Sequence, residues 1–255
     1  MKPSRRQFCS TLLGSVAAHA LLSSCTAAPE AVVSPKVEPI LKHWAIELNE
    51  YCSDLRKANL SQRDWQRSME RLFGRIDLSE LLKFIDFESL RKGFEYPDLG
   101  VATANVALPP LDGLPKDVVF LKKIFGLKRD RAIIPHGHSN MASGHLVLEG
   151  EFDLRHFEKL GQTKDHLTIR ATIERKAAAG SFSSISDERD NVHWFVATSD
   201  HAYTFDVIML DLNGKQYDIH NIDIERAEKG SNGELRAPII EVKTALRKYG
   251  KGTIH

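Results

Sequence analysis

The spacing of apolar residues predicts helices in the first part of the chain. Over residues 37–95, apolar side chains recur at steps of three and four, as they do along one face of a helix. Ser61 and Asp64 have the spacing of a capping box at a helix start. Cys52 falls on the apolar face, which favours a buried structural thiol. We therefore expect a small helical N-terminal region.

The pattern changes after residues 96–115, a stretch rich in Gly, Pro and Asp that is predicted to be a loop. About eight short runs rich in β-branched and aromatic residues follow, with no helical period between them. The pair Asn213-Gly214 is the clearest signal for a two-residue hairpin turn. These features predict a mainly β fold, a jelly-roll barrel over residues 116–243. The tail 244–255 is predicted to begin with a short helix.

Composition and charge limit the possible partners. With 255 residues of which 42% are hydrophobic, the chain is long enough to bury one substantial core. The 35 basic and 34 acidic residues leave a formal charge of +1, so no net field attracts nucleic acid or an anionic membrane surface. We expect no nucleic-acid partner, and membrane contact only through a lipid anchor.

The first residues resemble an export signal. S-R-R-Q-F at residues 4–8, followed by an apolar run too short to span a bilayer, resembles a twin-arginine (Tat) signal. L-S-S-C at residues 22–25 resembles a lipobox, in which Cys25 is lipidated and becomes the mature N-terminus. The alternative is a plain signal cleaved nearby. Residues 1–25 are thus interpreted as the signal and 26–36 as a linker, and both alternatives predict a periplasmic protein.

Histidines form the main candidate site. His136 and His138 are two residues apart in a predicted strand, so both imidazoles lie on one face and can reach one metal ion. Gly150 ends the next strand, and His193 lies in a later strand-like run. The alternative for His193 is a core histidine beside Trp194.

This arrangement resembles the cupin superfamily over residues 117–225. The first cupin motif contains H-x-H, a glutamate and a closing glycine, and the second motif contributes a further histidine. His136, His138, Gly150 and His193 occupy these places, whereas Ser143 stands where the glutamate is usual. The resemblance implies a cupin-type jelly-roll barrel with three histidines as metal ligands.

Within the cupins, the motifs look most like those of thiol dioxygenases of the cysteamine dioxygenase and plant cysteine oxidase type. The similar segments are H-G-H-S-N-M at 136–141, N-V-H at 191–193 and F-D-V-I at 205–208. The resemblance implies Fe(II) held by three histidines, with a thiol and dioxygen at the open positions. The Pro-Pro-Tyr that follows the Asp in those enzymes is absent here. A histidine-rich site also suits Zn, Ni, Cu or Mn.

Two further residues are candidates for a catalytic role. His145 lies two residues beyond Ser143, and it is interpreted as a fourth ligand, a proton-transfer group or a wall histidine. Asp206 matches the Asp of the resembling family and is predicted to accept a hydrogen bond from a ligating imidazole, with Asn191 as second choice. Arg189 lies in a charged segment that is either a solvated turn or a binding site for a substrate carboxylate.

These features together favour an exported non-haem Fe(II) dioxygenase that acts on a small molecule such as a thiol. Two alternatives stay open: a non-catalytic cupin that binds a small ligand at the cell envelope, and a metal-dependent isomerase or hydrolase. The helical region would serve as a lid or as a homodimer contact.

The lipobox interpretation predicts that Cys25→Ala moves the protein from the membrane fraction to the soluble periplasmic fraction, because the thiol that carries the lipid is lost. Fractionation followed by mass measurement of the mature N-terminus checks this. A wild-type protein that is soluble and carries no lipid would contradict the prediction.

Overall fold

A computed structural model describes residues 38–251, with side chains described from Leu41 onward. The predicted export signal, lipobox and linker lie outside the described residues. Within this range, no helix is both long and apolar enough to cross a membrane.

Four helices precede the strands in the described part of the chain: α1 (Glu38–Arg56), α2 (Gln62–Arg75), α3 (Leu78–Phe84) and α4 (Phe87–Lys92). Ser61 caps the start of α2, since its hydroxyl accepts a hydrogen bond from the Asp64 amide at 3.0 Å and donates to the Asp64 carboxylate at 2.7 Å. The second bond of a capping box, from the Ser61 amide to the Asp64 side chain, is not among the contacts of the described residues. Burial raises the pKa of the Cys52 thiol to about 12. This thiol is therefore inert, as expected of a structural cysteine.

Twelve strands and a last helix, α5 (Val242–Tyr249), complete the part of the chain that the structure describes. The strands are β1 (Ala102–Asn105), β2 (Leu121–Lys128), β3 (Ala132–Ser139), β4 (Ala142–Glu149), β5 (Glu151–Gln162), β6 (His166–Ala178), β7 (Phe182–Ile185), β8 (Val192–Ala197), β9 (His201–Met209), β10 (Asp218–Asn221), β11 (Glu228–Lys229) and β12 (Glu234–Pro238).

The strands form two antiparallel sheets. One has the order β1-β2-β9-β4-β7, and the other has the order β10-β3-β8-β5-β6-β12-β11. Their inner faces share an apolar cluster to which Leu127 and Val147 come from the first sheet and Phe152, Leu154 and Phe195 from the second. The predicted fold class, a mainly β jelly-roll barrel preceded by helices, is confirmed.

The helices cover the outer face of the five-stranded sheet. Phe205 and Val207 on β9 point away from the barrel interior and join Trp44 and Leu72 in one apolar cluster. Gly144 permits this close approach, because a Cβ atom there would lie 3.0 Å from the Phe73 ring. On the other side, α5 packs against β3 through an apolar cluster that includes Ile134, Ala245 and Tyr249.

Two local predictions are wrong. The stretch 96–115 is not entirely loop, because it contains β1, which pairs with β2. Asn213-Gly214 does not close a hairpin: it lies in a 3-10 turn, Leu212–Gly214, and the flanking β9 and β10 belong to different sheets. The two residues do adopt left-handed φ values of 56° and 67°. Local turn chemistry thus predicts the bend but not which strands pair.

The turn between β4 and β5 provides a stability test. Gly150 has φ 79°, and a Cβ atom there would lie 2.3 Å from the His201 carbonyl oxygen, whereas Gly180 has φ 85° and nothing within 4 Å. We expect Gly180→Ala to cost about 1 kcal/mol of left-handed strain. Gly150→Ala should cost about 2 kcal/mol more, because it adds a backbone clash. Urea unfolding measures both, and equal losses would contradict this packing.

Candidate metal centre

A β-bulge turns the first histidine pair into the barrel. In the pairing of β3 with β8, Ile133 lies opposite Phe195 and His136 lies opposite His193, so three steps on β3 match two on β8. Pro135 lies within this bulge, where its lack of an N–H removes nothing from the regular ladder. The extra residue puts His136 on the same inward face as His193.

His136, His138 and His193, the three predicted ligands, converge. The Nε2 atoms of His136 and His193 are 3.1 Å apart, and the ring centroid of His138 lies 4.6 Å and 5.2 Å from those of His136 and His193. One nitrogen from each ring lies within 4.8 Å of the others, and no other group of three or more His, Cys, Asp or Glu among the described residues meets this criterion. Because metal–imidazole bonds are about 2.0–2.1 Å long, small side-chain adjustments bring all three to one ion.

These imidazoles are in the protonation state that a metal requires. Burial lowers the pKa of His136 to about 4 and lowers the pKa values of His138 and His193 well below their usual range. His136 Nδ1 lies 2.7 Å from the Ile134 carbonyl oxygen, which can only accept. Nδ1 therefore carries the proton, and Nε2 presents its lone pair toward His193.

Unpartnered nitrogens also fit a metal. Both ring nitrogens of His138 and Nδ1 of His193 are buried without a hydrogen-bond partner. Each such atom costs about 1–3 kcal/mol when left unsatisfied. A divalent ion bound by the three rings would give His138 the partner that the protein itself does not supply.

Asn191 holds the backbone of His138 rather than a ligand ring. Its Oδ1 accepts from the His138 amide at 3.0 Å, and its Nδ2 donates to the His138 carbonyl at 3.1 Å. Gly137 leaves room for this amide, since a Cβ atom there would lie 3.0 Å from Asn191 Oδ1. Lys159 Nζ donates to the same carbonyl at 2.6 Å. Asn191 was predicted to accept a hydrogen bond from a ligating imidazole, and instead it bonds the backbone of His138.

His145 and Asp206 lie on the facing sheet, directly opposite each other on β4 and β9. His145 Nε2 is 3.8 Å from Asp206 Oδ2, and Nδ1 is 3.3 Å from the Ser183 hydroxyl. His145 is outside the group of three, although its ring centroid lies 5.0 Å from that of His193. Among the described contacts, Asp206 therefore faces His145 and not a ligating imidazole, which differs from the prediction.

Burial reverses the usual acidity of this pair. It raises the pKa of the Asp206 carboxyl to about 8, an effect that the Thr204 hydroxyl opposes. It also lowers the pKa of His145 well below its usual range. Near neutral pH, Asp206 carries its proton and His145 is uncharged, because neither charge is solvated in the barrel.

His156 is a buried neighbour of the site that the spacing of the other histidines does not indicate. It lies directly opposite His193 on β5, with ring centroids 6.3 Å apart, and both of its nitrogens are buried without a hydrogen-bond partner. Burial lowers its pKa to about 3. The alternation of Phe152, Leu154 and His156 on one strand face was the available signal.

Arg189 does not lie in a solvated turn. Its guanidinium contacts Glu70 on α2 and lies 3.2 Å from the Ser184 hydroxyl. The charged segment therefore packs against the helical region, and this arginine already has a carboxylate partner.

Comparison with known proteins gives a weak likeness at the level of fold. No protein-family model and no curated protein matches the chain. Procruciferin, an 11S globulin from Brassica napus, is 13% identical with a TM-score of 0.35, over 50% of this chain and 29% of the globulin. KdgF from Halomonas sp. is 16% identical with a TM-score of 0.31, over 45% of this chain and 84% of KdgF. An uncharacterized protein with a double-stranded beta-helix domain from Klebsiella pneumoniae is 10% identical with a TM-score of 0.34, over 51% of this chain and 86% of that protein.

The geometry predicts one divalent transition-metal ion per chain. His138→Ala should lower the affinity for Co²⁺ or Fe²⁺ at least about 100-fold, because it removes one of three ligands. The exposed His201 gives the matched control, His201→Ala, which should bind metal like the wild type. Anaerobic isothermal titration with elemental analysis measures both. Equal affinity in the two variants would contradict the site.

Proposed function

We propose that the protein is an exported mononuclear Fe(II) dioxygenase that oxidises a small molecule, with a thiol as the favoured substrate class. The observation that carries the proposal is the convergence of three uncharged imidazoles on one point inside the barrel. The thiol is favoured because the motifs around His136, His193 and Asp206 resemble those of thiol dioxygenases.

The charge of the ligand set supports this chemistry. Three neutral nitrogens leave the full 2+ charge of the ion uncompensated, so an anionic group such as a thiolate is drawn to it. Iron(II) held in this way supplies open coordination positions for such a group and for dioxygen. Zinc, nickel, copper and manganese fit the same nitrogens, so the choice of iron belongs to the proposal.

The proposed substrate would reach the three histidines from the side of His136, which is partly exposed, whereas His138 and His193 are buried. On the opposite side, the Phe195 ring centroid lies 5.4 Å from that of His193 and belongs to the apolar cluster of the barrel. This apolar floor keeps water from the reacting groups.

His145 and Asp206 form the acid–base pair of the proposal. A thiol that bound as a thiolate would give up a proton. The carboxylate form of Asp206 is the stronger base of the two groups, since burial raises the pKa of Asp206 to about 8 and lowers that of His145 well below its usual range. His145 Nε2, which lacks a hydrogen-bond partner, lies 3.8 Å from Asp206 Oδ2. Asp206 in its ionised form would therefore accept the proton, with the neutral His145 beside it as the relay.

The test is oxygen consumption by anaerobically purified, iron-loaded protein over a panel of small thiols. We expect uptake with at least one thiol, and loss of both iron and uptake in His193→Ala. Asp206→Asn should keep its iron but turn over about 100-fold more slowly, because it removes a proton-transfer group. His201→Ala serves as the control.

Three outcomes would contradict the proposal in different ways. Metal-dependent turnover without oxygen would indicate an isomerase or hydrolase. A protein that retains no metal but binds a small molecule would indicate a non-catalytic barrel. If the iron-loaded protein consumed oxygen with another compound but with no thiol, only the choice of a thiol as substrate class would be contradicted.

A further inference from the structure

We propose that helix α2 positions the proposed metal ligand His138 through a chain of hydrogen bonds, which we call the α2 clamp. Its members are Gln62 and Gln66 on α2 and Ser186, Asp187 and Asn191 in the segment between β7 and β8. The inference rests on the proposed function in one respect, namely that His138 is a ligand. It gives the helical region a role other than a lid or a dimer contact.

The need for the clamp follows from the sheet. The pairing of β3 with β8 ends at His136 opposite His193, so His138 lies beyond the end of that ladder. On its other edge, His138 pairs with Ile219 of β10. The side-chain amide of Asn191 replaces the missing strand, because it bonds both the N–H and the C=O of His138.

Asn191 is itself fixed by the segment that precedes it. Its Nδ2 also donates to the Ser186 carbonyl at 3.0 Å, and the residue is 1% exposed. Asp187 ties the same segment to the end of β3, since its Oδ2 accepts from the Asn140 amide at 2.8 Å. The position of Ser186 and Asp187 therefore determines where the Asn191 amide lies.

Helix α2 holds both of these residues. Gln62 Oε1 accepts from the Asp187 amide at 2.8 Å, and Gln66 Oε1 accepts from the Ser186 hydroxyl at 2.6 Å. Gln66 Nε2 donates to the Ser184 hydroxyl at 3.2 Å and to the Arg189 carbonyl at 3.3 Å. Gln66 is 0% exposed, so water does not replace a lost partner. Three contacts thus lead from Gln66 through Ser186 and Asn191 to His138.

Two variants of α2 separate positioning from general stability. Gln66→Leu removes the clamp from the helix, whereas Leu72→Ala truncates a buried side chain of the same helix in the apolar cluster of helices and sheet, a cluster that includes no residue of the β7–β8 segment. Gln66→Glu keeps the acceptor for Ser186 and serves as the conservative variant if Gln66→Leu does not fold. Asn191→Ala breaks the last link directly.

The first measurement is amide hydrogen exchange at His138 in metal-free protein, with each rate corrected for the change in global stability. The clamp predicts exchange at least about tenfold faster in Gln66→Leu and Asn191→Ala, smaller acceleration in Gln66→Glu, and no excess in Leu72→Ala. Equal protection of His138 in Gln66→Leu and Leu72→Ala would overturn the proposal.

The second measurement is the affinity for Co²⁺ and the visible spectrum of the bound ion, both independent of turnover. Partners that orient ligands typically contribute 10–100-fold in affinity, so we expect about a tenfold loss and an altered spectrum in Gln66→Leu and Asn191→Ala, but not in Leu72→Ala. Unchanged affinity in Asn191→Ala would overturn the clamp. Absence of Co²⁺ binding by the wild type would instead overturn the proposed function, and the exchange rates would then decide the clamp alone.

Discussion

The site depends on one constraint: uncharged imidazoles buried side by side must find partners inside the protein. Burial keeps His136, His138 and His193 uncharged, and the barrel provides few acceptors or donors to replace water. A cluster of this kind is unfavourable when empty and favourable when its lone pairs converge on a cation. Three features bring lone pairs of the imidazoles together: their uncharged state, the bulge before His136 and the Asn191 amide that holds His138.

The two sheets contribute different side chains to the site. The seven-stranded sheet carries the converging histidines and His156, while the five-stranded sheet faces them with His145 and Asp206 and carries the helical layer on its outer side. Apolar side chains fill the rest of the interior. This environment of low polarity raises the pKa of Asp206 and lowers the pKa of His145. The helices thus stabilise the barrel, and α2 also reaches the site through Gln66.

Much of this could be predicted from sequence, because periodicity and spacing are local. The helical period, the helix cap at Ser61, most strands and the shared face of His136 and His138 follow from residue order alone. The bulge at Pro135, the separate sheets of β9 and β10 and the contact between Asp206 and His145 do not, since each depends on which strands pair. Asn191 was recognised as relevant, but only tertiary structure shows that it bonds a backbone. The alternation of Phe152, Leu154 and His156 predicts that His156 points inward, but a single histidine in a strand has no spacing partner that would link it to the site.

The most direct test of the central claim is anomalous diffraction from crystals of the iron-loaded protein, with data collected on both sides of the iron absorption edge. We expect one strong peak per chain, within bonding distance of a nitrogen from each of His136, His138 and His193. A peak elsewhere on the chain, or an ordered barrel with no peak between these rings, would contradict it.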